Sequence, residues 1–319
     1  MSLTIHDITA ARERIAPHIV HTPLLRLRSL DSYLGCEVYI KAECMQTTGS
    51  FKFRGAMNKI LSLPQAELAR GIVAASSGNH GKAIAYACKR LGVKATIVLP
   101  TTVAKIKEET IRSWGAEIVK CDVSERFEVA EKLCREQNAT LVPPFNDETV
   151  MAGQGTAGLE LMEQCPELDM VIVPTSGGGL IGGVSTAIKA VSSRTKVYGA
   201  EPAALPRYSA SLKAGKPVLV EKRTTIADAL VTQIPGSICF PCVAANTDGF
   251  ADVDEDYILN GMKLLLLEGK VLCEPSSGTS IGAVLQGLIP VKASDKVCFF
   301  ISGGSVSLEQ LHLLEDLRI

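Results

Sequence analysis

Two α/β domains, each built on a mostly parallel, doubly wound sheet and meeting at a ligand cleft, are what this sequence predicts. Three observations carry the prediction. The chain has 319 residues, enough for two domains with substantial cores and too many for a small binding module. Short apolar, β-branched runs alternate with helix-period segments over most of the length, which is the signature of βα units and parallel sheets. A turn-rich stretch, Pro143-Pro144-Phe145-Asn146-Asp147, separates two sets of such units.

In chain order, strands are expected over 38–41, 71–75, 94–99, 117–121, 140–142, 170–174, 196–200 and 296–302. Segment 81–91 has the helical period, with Ile84, Ala87, Cys88 and Leu91 on one stripe. The pattern assigns 71–148 to a small α/β domain and 1–70 with 149–319 to a discontinuous large one. Ligands of doubly wound sheets bind beyond the carboxyl ends of the strands, so the strand-to-helix loops are where chemistry belongs.

Composition excludes whole classes of function. Lys and Arg number 33 against 34 Asp and Glu, a net charge of −1, with no block of like charge; a binder of nucleic acid or anionic lipid would carry a basic face. Hydrophobic residues make up 46% and mean hydropathy is +0.20, which rules out disorder. The uncharged stretches 170–188 and 229–247 have the length of a membrane span, but glycines, prolines and amides interrupt them and no membrane role is expected. The N-terminus is polar, without the apolar centre of a signal peptide. Ten cysteines are scattered, several inside apolar runs such as Val297-Cys298-Phe299-Phe300; buried thiols in a reducing cytoplasm fit better than disulfides. Cys239 and Cys242 have metal-ligand spacing, yet no His pair accompanies them, and a structural role is expected.

Three motifs sit at expected strand-to-helix junctions or beside them. Ser176-Gly-Gly-Gly-Leu-Ile-Gly-Gly183 follows a strand and opens a helix, so its backbone N–H groups can converge on an anion, a phosphate above all. The same glycines satisfy G-x-G-x-x-G at Gly177, Gly179 and Gly182, with Glu201 after the next strand, which leaves a dinucleotide-binding oxidoreductase open. Thr48-Gly-Ser-Phe-Lys52-Phe-Arg-Gly55 sets a lysine between two phenylalanines, where an apolar setting lowers its pKa and leaves an amine able to form an imine with a carbonyl cofactor; a surface lysine lying along aromatic rings is the simpler alternative. Ser76-Ser-Gly-Asn-His80 offers N–H groups for a carboxylate or a plain helix cap.

Taken in order with Ala152-Gly-Gln-Gly-Thr156 and Ser302-Gly-Gly304, these motifs resemble the pyridoxal-phosphate enzymes of the serine/threonine dehydratase and serine racemase family, of fold type II and related to the tryptophan synthase β chain. The resemblance runs from Ile8 to Leu308. It implies that the cofactor, pyridoxal 5'-phosphate, lies in the cleft, bound as an imine to Lys52, which also acts as the base at the substrate Cα. It further implies that Phe51 packs on the cofactor ring, Asn79 bonds its 3-oxygen, Ser176, Gly177, Gly178, Gly179 and Leu180 hold its phosphate, and Ser302 meets the ring nitrogen. Glu274 is placed near the cofactor. Ser76, Ser77, Gly78, Asn79 and His80 are implied as the cradle of the substrate carboxylate.

A hydroxyl at the ring nitrogen, unlike an aspartate, does not keep it protonated, so elimination of a β-leaving group is favoured over long-lived carbanion chemistry. The expected reaction is deamination of L-serine, L-threonine or a related 3-hydroxy amino acid to a 2-oxo acid and ammonia. In racemases of the family a serine at the position of Ser77 reprotonates the opposite face, so racemisation of serine or aspartate, or dehydration of 3-hydroxyaspartate, is the alternative. Where the family's racemases bind a divalent cation, Glu201 matches one ligand but Arg207 replaces the second acid and Leu205 stands at the carbonyl position; no metal is expected, Arg207 pairing with Glu201 instead. The chain ends soon after Ser302, so no C-terminal amino-acid-sensing domain is expected. A homodimer is the family's habit, and no nucleic-acid partner is expected.

Overall fold

The computed structural model describes residues 3–76, 78–103, 105–315 and 317. Its strands are β1 Leu24–Arg26, β2 Glu37–Lys41, β3 Ile72–Ala75, β4 Ala95–Pro100, β5 Glu117–Cys121, β6 Thr140–Leu141, β7 Met170–Pro174, β8 Lys196–Pro202, β9 Gly249–Val253 and β10 Lys296–Phe300. They form a six-stranded sheet in the order β1-β2-β10-β7-β8-β9 and a four-stranded sheet in the order β5-β4-β3-β6. Every pairing is parallel except β1 with β2. The parallel α/β architecture is the one expected from the alternating runs.

Both sheets are covered on both faces, and the strands show why. Along β7, Met170 and Ile172 enter one core cluster while Val171 and Val173 enter another; along β10, Val297 and Phe299 separate in the same way from Cys298 and Phe300. Side chains alternate across a pleat, so a continuous apolar run can serve two helical layers at once. In the smaller sheet Ile72 and Ala74 of β3 face one cluster and Val73 and Ala75 another. The first of these clusters reaches beyond 71–148, because Phe53, Ala56, Met57 and Ile60 of helix Lys52–Leu61 are fully buried in it.

Two strands were not expected, β1 and β9. Each lies at an edge with one neighbour, and β9 carries Asp252 in a half-buried pattern, so neither needs the uniform apolar run that marks a central strand. Helix Glu148–Gln164 begins where Asp147 accepts a hydrogen bond from Val150 N–H. Nearly its whole length is buried, and the 152–156 motif explains how: a Cβ on Gly153 would stand 2.6 Å from Gly55 Cα, so glycine on both helices is what lets them touch. Among the described residues no helix is long and apolar enough to cross a membrane, and none of the ten cysteines is in a disulfide.

Candidate active site

Chain topology fixes where a site forms. In the larger sheet the chain runs outward from β7 to β8 and β9 and returns to β10 on the other side of β7. In the smaller it runs from β3 to β4 and β5 and returns to β6 on the other side of β3. Each reversal leaves a crevice at the strand carboxyl ends. The two crevices open into one cavity of about 250 Å³, walled by Ser76 after β3, Pro144 after β6, Ser176 after β7 and Ser302 after β10.

Lys52, the first residue of helix Lys52–Leu61, enters this cavity. Its Nζ donates to Pro144 O at 2.7 Å and lies 5.0 Å from the centre of the Phe51 ring. Burial pushes the amine down to about 8, with Cys239 and Glu274 opposing the shift only in part. An ammonium loses its hydration there without gaining a carboxylate, which is why its neutral form is accessible. Lys52 is half-buried and lines the cavity, with its amine on a backbone carbonyl and beside an aromatic ring.

The helix is held from behind by charges that the sequence analysis missed. Arg54 is fully buried and donates to Glu43 from Nε and Nη2, both at 2.8 Å, and to Glu160 at 3.1 Å. Glu160 also takes Lys41 Nζ at 2.5 Å. Two cations and two carboxylates thus neutralise one another inside the core, tying the lysine-bearing helix to β2 and to helix Glu148–Gln164. These residues lie more than a hundred positions apart at the extreme, so no local motif announces them.

The glycine loop after β7 forms a cradle. Helix Gly179–Val191 starts from Gly178 at φ +100° and no side chain caps it, so the amides of its first turn have no acceptor within the helix. Gly178 is needed twice over: its φ is left-handed, and a Cβ there would lie 1.8 Å from Tyr208 Oη. The Phe145 ring occupies the place of any Cβ on Gly177, at 2.5 Å. Ser176 Oγ accepts from Thr232 N–H at 3.3 Å, and Leu180 is buried in the first helical turn.

The loop after β3 is built differently. Ser76 and Gly78 are half-buried, and Ser77 lies outside the described residues. Asn79 and His80 start helix Asn79–Leu91 and are buried. His80 Nε2 lies 2.9 Å from Val142 O; a carbonyl only accepts, so the ring proton is on Nε2. Burial, then the Lys52 charge, pushes this imidazole down to about 3, so it is neutral. Its ring N–H is engaged by Val142, and of the expected carboxylate contacts a backbone one is what it can offer.

Asn79 and Glu274 meet. Asn79 Nδ2 donates to the Glu274 carboxyl oxygens at 2.9 and 3.1 Å, and Ser305 Oγ donates to Asn79 Oδ1 at 2.6 Å. Glu274 is 2% exposed, and burial raises its pKa to about 7 against the opposing Asn79 bond. Ser302, 3% exposed, shares a hydrogen bond with Ser277 at 3.3 Å. The cavity also takes in Lys82, Lys107, Arg126 and Asp228, none of them singled out from the sequence. Lys82 donates to Ser305 Oγ at 3.0 Å and Lys107 approaches Asp228 at 3.9 Å.

Glu201 corrects the oxidoreductase alternative. It is fully buried, and its oxygens accept Tyr208 and Ser209 N–H at 2.9 to 3.0 Å, so it has no capacity facing a ribose. Its expected pairing with Arg207 is also looser than a hydrogen bond, at 3.7 Å. Arg207 instead donates to Thr175 O and Leu230 O, at 3.1 and 2.9 Å. Leu205 O, the carbonyl at the third position, accepts Arg207 N–H at 2.9 Å. Among the described residues no cluster of His, Cys, Asp and Glu has the form of a metal site. Cys239 and Cys242 are buried on helix Cys239–Asn246 and form no disulfide.

Comparison with known proteins agrees with this geometry. Residues 15–303 match the family described as pyridoxal-phosphate dependent enzyme. The chain is 40% identical over 318 residues to a serine racemase of Dictyostelium discoideum, covering 97% of each. It is 39% identical to an L-threonine ammonia-lyase of Thermotoga maritima, covering 97% of this chain and 77% of that one. The structure of maize serine racemase superposes with a TM-score of 0.93 at 36% identity, covering 98% of this chain and 97% of the other. The residues fit the cofactor: an uncapped helix N-terminus entered through glycines that leave no room for Cβ atoms suits a phosphate, and a desolvated lysine in the same cavity suits its aldehyde. The chain belongs to the pyridoxal-phosphate-dependent enzyme family, and pyridoxal 5'-phosphate is its cofactor.

Proposed function

We propose that the protein is an ammonia-lyase that removes water and then ammonia from a small 3-hydroxy amino acid, serine or threonine in the first place, leaving a 2-oxo acid. The observation that carries this reading is Lys52, an amine brought to about 8 by burial at the wall of a cavity that also holds the glycine cradle. Relatives named as ammonia-lyase and as racemase match nearly the whole chain, so racemisation on the same site is the second reading.

When bound, pyridoxal phosphate supplies an electron sink for negative charge at the substrate Cα. Lys52 would hold it and would serve as the base that takes the Cα proton on Nζ, with Pro144 O accepting one of the amine's hydrogens. Ser176 and the amides of Gly177, Gly178, Gly179 and Leu180 would hold the phosphate, with Phe51 beside the ring and Ser302 near its nitrogen. Asn79, whose amide is engaged by Glu274 and Ser305, would offer the remaining Nδ2 hydrogen to the ring oxygen. The N–H groups of Ser76, Ser77, Gly78, Asn79 and His80 receive the substrate carboxylate, and Ser77 returns a proton to the opposite face when racemisation occurs. A guanidinium beside Glu201, in place of a second acid, supports a site without a divalent cation, and a chelator should leave the rate unchanged.

Ten cysteines outside any disulfide, most of them buried, support a reducing, cytoplasmic setting, and exposed apolar side chains such as Met45 and Leu272 support a homodimer. The deciding experiment incubates the enzyme separately with L-serine, L-threonine and L-threo-3-hydroxyaspartate and measures both 2-oxo acid and D-isomer. The lyase reading expects 2-oxo acid as the main product; D-isomer without 2-oxo acid would overturn it in favour of racemisation.

A further inference from the structure

The first turn of helix Arg207–Ala214 lies directly behind the glycine loop, and Arg207 is the residue there with two outlets. It is fully buried. Nη1 donates to Thr175 O at 3.1 Å, the residue before the loop, and Nη2 donates to Leu230 O at 2.9 Å, in the 228–232 segment that walls the cavity elsewhere. Tyr208, next in the chain, adds Oη to Gly177 O at 3.2 Å and fills the space beside Gly178. Glu201 secures this turn from the other side by accepting its backbone N–H groups. The guanidinium's directed bonds therefore go to main chain, not to the carboxylate, and its Nε has no hydrogen-bond partner.

We propose that Arg207 is a positioning residue that, together with the bond from Thr232 N–H to Ser176 Oγ, locks the cofactor's phosphate loop to the 228–232 wall. A fork with donors at fixed separation can bridge two carbonyls; an ammonium, a single point of charge, reaches one at a time. Because Arg207 bonds to both segments, order in one is coupled to order in the other. The proposal rests on the cofactor assignment above.

The test strips wild type, Arg207→Lys and Arg207→Met of cofactor and titrates each with pyridoxal phosphate, reading the visible absorbance band. Amide hydrogen exchange at 176–181 and 229–232 is followed in the reloaded proteins. Loss of one hydrogen bond to a charged donor predicts about tenfold weaker uptake for Arg207→Lys, with faster exchange in both segments together, and a larger loss for Arg207→Met. If Arg207→Met does not fold, the lysine variant decides. Unchanged uptake by Arg207→Lys, a lower melting temperature without weaker uptake, or faster exchange in one segment alone would overturn the positioning role. A wild type that develops no band would overturn the cofactor assignment itself, an outcome distinct from equal uptake by wild type and variant.

Discussion

The two loops that face each other across the cavity solve one problem in opposite ways. Both follow a parallel strand, both open a helix through a glycine, Gly178 in one and Gly78 in the other, and neither helix has a side-chain cap. Around Gly178 everything is filled: φ is +100°, Tyr208 Oη occupies the Cβ position, and the neighbouring glycines are pressed by Phe145. Around Gly78 φ is −107° and a Cβ would meet nothing within 4 Å. On the reading proposed above, the filled loop would hold a phosphate, whose one shape suits a cradle without spare room, and the loop beyond β3 would meet the substrate carboxylate.

The largest effect expected is at the group between the loops. Lys52→Ala should abolish the visible absorbance band and lower kcat by about 10³-fold or more; a variant that kept a band bleached by borohydride would show that another amine holds the cofactor. Gly178→Ala is next, since a left-handed backbone costs about 1–3 kcal/mol before the collision with Tyr208 is counted. Cofactor uptake should fall by about 10²-fold while KM for substrate in reloaded enzyme changes less. The amine that takes the Cα proton must be neutral, and burial sets it at about 8, so kcat should rise with pH up to about 8 and level above it; a kcat that fell between pH 7 and 8 would contradict the assignment. Ser77→Ala should reduce formation of D-isomer much more than 2-oxo acid from L-serine, and equal losses would remove Ser77 from the opposite face. Gly78→Ala should be the mildest, with cofactor uptake within about twofold of wild type and any change confined to KM. Equal damage from Gly78→Ala and Gly178→Ala would erase the contrast between the loops.

What could be read in advance follows from how local each feature is. Central strands such as β7 and β10 are buried on both faces and write themselves as apolar runs, whereas β1, three half-buried residues at an edge, leaves no such trace. The glycine loop was legible because backbone approach needs several glycines in a row. Glu274 was visible only as a neighbour of uncertain use, since its hold on Asn79 spans 195 positions. Lys82, Lys107 and Asp228 reach the cavity from three separate elements, and nothing in their surroundings in the chain sets them apart from surface charges. The oxidoreductase alternative failed for the same reason in reverse: Glu201 has the right spacing, but spacing does not say that its oxygens are already spoken for by a helix N-terminus.

The buried quartet behind Lys52 has a consequence for how this chain can diverge or be redesigned. Lys41, Glu43, Arg54 and Glu160 balance only as a set, and loss of one partner would strand an uncompensated charge in the core, at a cost of about 3–5 kcal/mol. Four positions scattered over 41–160 are therefore energetically interdependent, and a library that varies them one at a time should lose stability at each, where one that exchanges charged partners together should not.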